Sequence, residues 1–350
     1  MADEFLTGID IVIPNWNGRH MLEVCLLSLY SQEFKDYKVF VVDNGSSDDS
    51  VDYLRTFQPD VEILELHHNT GFSTAINRGI AAGRREWVLL LNNDIEMAPN
   101  CLAHLFEQAQ REPRIKMFAL KMLSFANRTM LDGAGDGVMR GGVGYRFGTM
   151  EPDSLHYSLK REVFGACAGA ALYHRSLFSE VGFFDEDFFA YLEDVDFNMR
   201  VVRAGHRCCY LPGAVVYHMG SATTGSKINK MTVRLTTRNN IFVICKNYSL
   251  HTLIRFLPSM LIYQFFWFMF VLKKGQIVGY MNGIIEAVPR MYAMTRKRPE
   301  KDRAVLSDHQ FRDSIVVSER QVVQSIMSRR SGEGKNNLLL RLYLAIFCRR

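Results

Sequence analysis

Ile11-Val12-Ile13-Pro14-Asn15-Trp16-Asn17-Gly18 is an apolar run that stops abruptly in polar residues. Val41-Val42-Asp43-Asn44-Gly45-Ser46 repeats the pattern, and Leu89-Leu90-Leu91-Asn92-Asn93-Asp94 repeats it again. Short continuous apolar runs read as strands buried on both faces, and in an open parallel sheet the residues that follow them lie at the carboxyl edge, where ligands bind. That edge is the expected active site. Strands are predicted at residues 9–13, 38–42, 61–65 and 87–91, with helical patterns at 21–31, 49–56 and 73–82 between them. This alternation gives right-handed βαβ units and an α/β fold with a mostly parallel central sheet. Asp48, Asp49 and Ser50 read as caps of the second helix, and Pro99 opens a further helix to about residue 111.

The chain has 350 residues, enough for one full core and an appendage. Its 7 cysteines include no Cys-x-x-Cys pair, and Cys208 and Cys209 are adjacent, so a reduced, cytoplasmic compartment is expected. The acidic start, Met1-Ala2-Asp3-Glu4-Phe5, resembles no secretory signal. Charge divides the chain. Residues 1–224 hold 20 Lys and Arg against 30 Asp and Glu, and residues 225–350 hold 22 against 7, giving −10 and +15 within the overall +5. Such an asymmetry orients a molecule on an anionic partner, either a membrane or a nucleic acid.

Residues 132–148 hold seven glycines and are expected to form a mobile loop beside the site rather than a helix or central strand. Their Gly-x-Gly pairs neither follow a clear strand nor open a helix, which argues against a dinucleotide site. Residues 253–272 are a twenty-residue apolar stretch interrupted by Arg255, Pro258, Ser259 and Gln264. Its length suffices to span a bilayer, but the interruptions favour a segment lying in the interface. Lys273-Lys274, Arg290 and Arg296-Lys297-Arg298 supply a basic flank, and residues 338–348 with Arg349-Arg350 repeat the combination. The alternative is a helical interface between copies of the chain. Long aliphatic runs suit lipid better than a phosphate backbone, so no nucleic acid is expected.

Asp94 ends a buried strand, where an isolated carboxylate costs roughly several kcal/mol of desolvation unless donors or a cation meet it. A divalent metal bridging it to a phosphate offsets that cost; a helix cap ahead of Pro99 is the other reading. Asp43 is placed to accept hydrogen bonds from a base or ribose, or to stabilise an Asx turn.

Together these segments resemble the family 2 glycosyltransferases of the GT-A (nucleotide-diphospho-sugar transferase) fold. The resemblance runs through residues 12–18, 42–48, Asn69-Thr70-Gly71-Phe72, Asn77-Arg78-Gly79 and Asn92-Asn93-Asp94. It continues through residues 181–186 and Tyr191-Leu192-Glu193-Asp194-Val195-Asp196 to His218. It implies a nucleotide-sugar pocket of Pro14, Asn15, Asn17, Asp43 and Ser46, with Asn69, Gly71, Asn77, Asn92 and Asn93 completing the wall. It makes Asp94 the last carboxylate of a metal-binding Asp-x-Asp motif, whose first position is Asn92 here, and His218 a further metal or diphosphate contact. The metal is Mg²⁺ or Mn²⁺. Asp194 matches the catalytic base, with Glu193 beside it. Adjacent residues on a helix point about 100° apart, so Glu193, Asp194 and Asp196 are not all expected to face substrate.

The implied chemistry is inverting, metal-dependent sugar transfer onto a surface glycan at the cytoplasmic face of the inner membrane. The motif combination looks most like bacterial rhamnosyltransferases of O-antigen and cell-wall assembly, which points to dTDP-L-rhamnose as donor and a polyprenyl-diphosphate-linked saccharide as acceptor. UDP-linked hexoses and N-acetylhexosamines are served by the same motifs. The rivals are a non-catalytic scaffold of the same fold and a nucleotidyltransferase, whose basic phosphate loop Asn15-Trp16-Asn17-Gly18-Arg19 matches poorly. The expected division is a catalytic domain over 1–245 and a helical membrane-association or oligomerisation region over 246–350, whose removal is expected to spare donor hydrolysis.

Overall fold

A computed structural model describes residues 5–220, 228–298 and 304–348. Residues 1–4, Thr224, Arg349 and Arg350, which figured in the sequence reading, lie outside them. The order is β1 (Leu6–Asn15), α1 (Arg19–Tyr30), β2 (Tyr37–Asp43), α2 (Ser50–Phe57), β3 (Glu62–Glu65), α3 (Phe72–Ala82), β4 (Arg85–Leu91), β5 (Ile95–Met97) and α4 (Cys101–Arg111). Then come β6 (Met117–Ser124), β7 (Leu131–Ala134), β8 (Asp136–Met139), β9 (Val143–Arg146), β10 (Arg161–Val163), β11 (Ala170–His174), α5 (Ser176–Val181), α6 (Glu193–Arg203) and β12 (Cys208–His218). The helices α7 (Lys230–Asn247), α8 (Leu250–Lys273), α9 (Ile277–Ala287), α10 (Met291–Arg296), α11 (Asp308–Gly332) and α12 (Leu338–Phe347) follow.

The main sheet has the order β10-β12-β6-β11-β4-β1-β2-β3. Its β3-β2, β2-β1, β1-β4 and β6-β12 ladders are parallel, and β11 runs antiparallel between β4 and β6. Ile11, Val12 and Ile13 are fully buried because the two faces of β1 are both covered. Leu22, Leu26, Leu102 and Leu105 of α1 and α4 pack on one face, and Ile76, Ile80, Leu177 and Phe197 of α3, α5 and α6 on the other. Asp48 accepts from the Ser50 N–H at 3.2 Å and its Oγ at 2.6 Å at the start of α2, whereas Asp49, at the N-cap position, makes no side-chain bond. All seven cysteines are unpaired.

The glycine-rich segment is an ordered hairpin, not a loop. β8 and β9 pair from Asp136↔Arg146 to Met139↔Val143. Gly142 takes the left-handed conformation (φ 72°) that a three-residue turn requires. At Gly137 a Cβ would stand 2.6 Å from Val322 of α11, so the glycine lets a helix lie directly on the strand. Tertiary cover overrides the poor strand propensity.

The division expected between residues 245 and 246 falls inside α7. Val138 of β8, Val195 and Met199 of α6, Phe242 of α7, Phe256 of α8 and Phe311 of α11 share one buried cluster. Asp196, fully buried, accepts from Lys246 Nζ at 2.9 Å, Asn247 Nδ2 at 2.9 Å and Arg200 Nε at 3.0 Å. Lys246 also donates to Asp185 at 2.8 Å. Cutting after residue 245 strands these carboxylates, so the expectation that removing 246–350 leaves the catalytic part intact is revised. Burial opposes the charge on Asp196, but Lys246 and Arg200 outweigh it and hold the carboxyl down at about 2.

Lys246→Met is expected to lower the unfolding free energy at pH 7 by about 3 kcal/mol, since it leaves the buried carboxylates of Asp196 and Asp185 with one cation fewer between them. A depressed folded pKa contributes stability above the unfolded carboxylate value of about 4, which is lost as pH falls toward 2. Urea melts should therefore show wild type and variant converging across that window.

Candidate active site

Strand register builds the first corner of the site. β5 pairs with the end of β12 so that His218 faces Ile95, and the Met219 N–H donates to the Asp94 carbonyl at 2.9 Å. Asp94 is buried, with Oδ2 3.3 Å from His218 Nε2 and Oδ1 without a hydrogen-bond partner among the described residues. Asn92 Oδ1 is likewise unpartnered. His218 Nδ1 stands 2.8 Å from Asp132 Oδ2. Burial disfavours the imidazolium, but Asp132 and Asp94 outweigh it and raise the ring to about 9, so it is charged at neutral pH. A buried carboxylate oxygen left without a protein donor is met by water or by a cation. Carboxylate, amide and imidazole donors, with Asp132 orienting the ring from behind, fit a hard divalent ion once His218 yields its proton.

The second corner is the start of α6. Phe189, Tyr191 and Leu192 all have left-handed backbones, with φ of 63°, 71° and 66°. Each such residue costs roughly 1–3 kcal/mol and persists only where its surroundings impose it. Here α7 imposes it: the buried Asn239 Nδ2 donates to the carbonyls of Phe188, Ala190 and Tyr191 at 2.9, 2.8 and 2.6 Å, and Arg238 Nη2 to that of Phe188 at 2.8 Å. Gly71 (φ 89°) lies against the same turn, and a Cβ there would meet the Phe189 carbonyl at 2.5 Å.

This turn delivers Glu193 and Asp194 to the cavity, while Asp196 points into the junction with Lys246. Burial, then Asp194, raises Glu193 to about 8, and burial raises Asp194 while Arg146 opposes it. Arg146 thus favours the charged form of Asp194 against its burial. Arg146, from β9, stands 3.2 Å from Asp132, 3.7 Å from Asp136 and 2.6 Å from the Cys167 sulfur. Asp136, Cys167 and Asp194 place ligand atoms within 4.8 Å of one another. The guanidinium among them already supplies the positive charge, so this group is a poor cation site.

Asp94 and Asp194 line one cavity of about 530 Å³, within the size range of ligand sites. Pro14, Asn15, Asn69, Gly71, Asn92, Asn93 and Glu193 line it too. Asp43, Ser46 and Asn17 are not in the lining: Asn15 Nδ2 donates to Asp43 at 3.1 Å and to Ser46 Oγ at 3.3 Å, and the exposed Asn17 accepts from the Ser47 N–H at 2.7 Å. The structure does not bring Asn77 to the cavity. Its amide donates to the Phe184 carbonyl at 2.8 Å and accepts from the Phe184 N–H at 3.1 Å, bracing another surface. His218 is not in the lining and meets the site through Asp94 and Asp132. Sequence reasoning missed Asp132, Asp136, Arg146 and Cys167, although the two aspartates in Asp132-Gly-Ala-Gly-Asp136 were a visible signal. It also missed Asn239, which no local pattern marks.

Residues 10–182 match Glycosyl transferase family 2. The N-acetylglucosaminyl-diphospho-decaprenol L-rhamnosyltransferase of Mycobacterium tuberculosis is 30% identical over 245 residues, 62% of this chain and 78% of that protein. A PGL/p-HBAD biosynthesis glycosyltransferase of Mycobacterium bovis is 30% identical over 196 residues, 54% of this chain and 68% of its own. The crystal structure of S. aureus TarS 1–349 aligns with TM-score 0.52 over 93% of this chain and 92% of that one, at 16% identity. GalNAc-T7 with UDP, GalNAc and Mn²⁺ aligns with TM-score 0.56 over 69% and 48%, also at 16%. The fold is GT-A.

Asn239→Ala is expected to lower kcat for sugar transfer about ten- to a hundredfold by loosening the turn that aims Asp194. The dissociation constant for a nucleoside diphosphate, read by titration calorimetry, should stay unchanged.

Proposed function

Since the chain belongs to glycosyl transferase family 2 and is a glycosyltransferase, we propose that it inverts the anomeric centre of a nucleotide-linked sugar as it transfers that sugar to a lipid-linked saccharide. The observation that carries this reading is the placement of Asp94 and Asp194 on one cavity, the first with an oxygen unpartnered among the described residues and the second beside Arg146. The acceptor hydroxyl gives its proton to the Asp194 carboxylate as its oxygen bonds the anomeric carbon. The bond from that carbon to the diphosphate breaks on the opposite side, and the diphosphate leaves with the electron pair. A positioned base of this kind contributes roughly 10²–10⁴ in rate. Asp94, Asn92 and His218 are the residues that would hold a divalent cation, which supplies neutralisation of the leaving diphosphate. No covalent sugar–enzyme species is needed.

The preferred donor is dTDP-L-rhamnose, supported by the rhamnosyltransferase that is 30% identical. A UDP-hexose is the alternative. The same relative's name supports a polyprenyl-diphosphate acceptor, and with it a position at the cytoplasmic face of the inner membrane. Surface chemistry agrees. α8 is long and apolar enough to cross a membrane, yet Gln264 donates to Asn240 at 2.6 Å and Trp267 to Thr237 at 3.0 Å, laying the helix along α7. The helix nevertheless exposes Leu257, Leu261 and Phe265, and α9 adds Val278 and Ile285. This suits a helix lying in the interface. Not all the basic flank serves it: Lys297 pairs with Asp185 and Asp187, and Arg298 donates to the Cys245 carbonyl.

A thermal-shift screen of nucleotide sugars with and without Mn²⁺ or Mg²⁺ tests the donor, which stabilises by about 2.7 kcal/mol at a hundred times its Kd. Asp194→Asn is expected to lose transfer by about two to four orders of magnitude while keeping donor binding; full turnover would remove Asp194 as base. Replacing Leu261 and Phe265 together by Asp should reduce cosedimentation with anionic vesicles, and unchanged sedimentation would remove α8 as the anchor.

A further inference from the structure

A second cavity, of about 670 Å³, lies between α8, α11, α12 and the turn of the β8–β9 hairpin. Ile262, Tyr263, Val323, Ile326 and Leu339 make its lining predominantly apolar. Its one acidic residue, Glu319, is already engaged, pairing with Arg140 and accepting from Tyr343 Oη at 2.9 Å. Arg330, also in the lining, makes no ion pair among the described residues; its guanidinium donates to Asn337 at 3.2 Å and to the Asn336 carbonyl at 2.8 Å. The lining thus offers hydrocarbon and one positive charge.

The walls continue onto exposed apolar surface. Leu261 on α8 is 61% exposed and Leu339 on α12 is 77% exposed. The lining therefore borders the exposed apolar surface of α8 and α12. The same hairpin serves both cavities: Asp136, Tyr145 and Arg146 at its open end line the catalytic cavity, and Met139 and Gly141 at its turn line the apolar one. Four-residue strands measure about 13 Å, which sets the scale of the separation. A ligand with a sugar-diphosphate head and a branched hydrocarbon tail matches that spacing and polarity.

We propose that this cavity receives the isoprenoid chain of the acceptor, with the hairpin as the spacer that sets how far the reactive hydroxyl lies from the tail. The proposal rests on the lipid-linked acceptor reading above. Burial of branched hydrocarbon gives the affinity, and the positive charge of Arg330 favours the anionic end of the lipid.

The test uses the full-length protein and two acceptors with one saccharide-diphosphate head, one carrying a polyprenyl chain and the other a short water-soluble alkyl group. The polyprenyl acceptor is expected to show about tenfold or greater advantage in kcat/KM from burial of its chain. Ile262→Trp and Ile326→Trp, each filling the cavity, should erase that advantage while leaving donor hydrolysis and transfer to the short acceptor unchanged. A photoreactive polyprenyl diphosphate in phosphatidylglycerol vesicles should label α8 or α12 in wild type and not in the variants. Retention of the full advantage by both folded variants overturns the proposal and leaves the acceptor reading standing. Failure to glycosylate either acceptor, with donor hydrolysis intact, overturns both. Labelling that excess phosphatidylglycerol abolishes would mark an ordinary phospholipid site, and a dimer that both variants dissociate would mark a contact between copies; either also overturns it.

Discussion

One carboxamide, that of Asn239, holds a stretch of irregular backbone in place by donating to the carbonyls of Phe188, Ala190 and Tyr191. The left-handed residues between 189 and 192 depend on it, and the acid pair at the start of α6 depends on them. Strain of this kind is stable only when neighbouring structure over-determines it. The buried junction of Asp196, Lys246, Arg200 and Asn247 fixes the rest of α6 against the same helix, so position and direction of the acid pair are both set from α7.

Charge around the cavity alternates. Asp94, His218, Asp132, Arg146 and Asp136 follow one another at ion-pair distance, acid next to base. Each cation lowers the cost of burying the carboxylates beside it, yet Asp94 Oδ1, Asp136 Oδ1 and Glu193 Oε2 have no hydrogen-bond partner among the described residues. The cavity therefore holds polar oxygens that protein groups leave open, with Glu193, whose pKa burial raises, suited to donate as well as accept. A sugar hydroxyl satisfies such oxygens.

The sheet was legible because β1, β2 and β4 are covered on both faces and so read as unbroken apolar runs. Asp94 and Asp194, singled out through their motifs, line one cavity. Asn77 stood in an equally good motif, but its amide closes on Phe184, a choice made by packing rather than by local sequence. The glycine-rich hairpin was misread because strand propensity counts side chains, whereas Gly137 is required by the helix lying on it. Asn239 was illegible for a different reason: its partners are main-chain groups about fifty positions away, and main-chain groups carry no residue identity.

The chain presents these parts in a particular order. The strand ends at the cavity and the Asp94–His218 corner precede residue 219, while the amide that aims the acid pair comes on α7, whose Met231 and Thr236 also line the cavity. During synthesis the emerging polypeptide therefore holds an unfinished cavity and is incompetent to react. Competence arrives only with the C-terminal helices, so hydrolytic waste of activated sugar by half-made molecules is suppressed by the arrangement of the gene product itself.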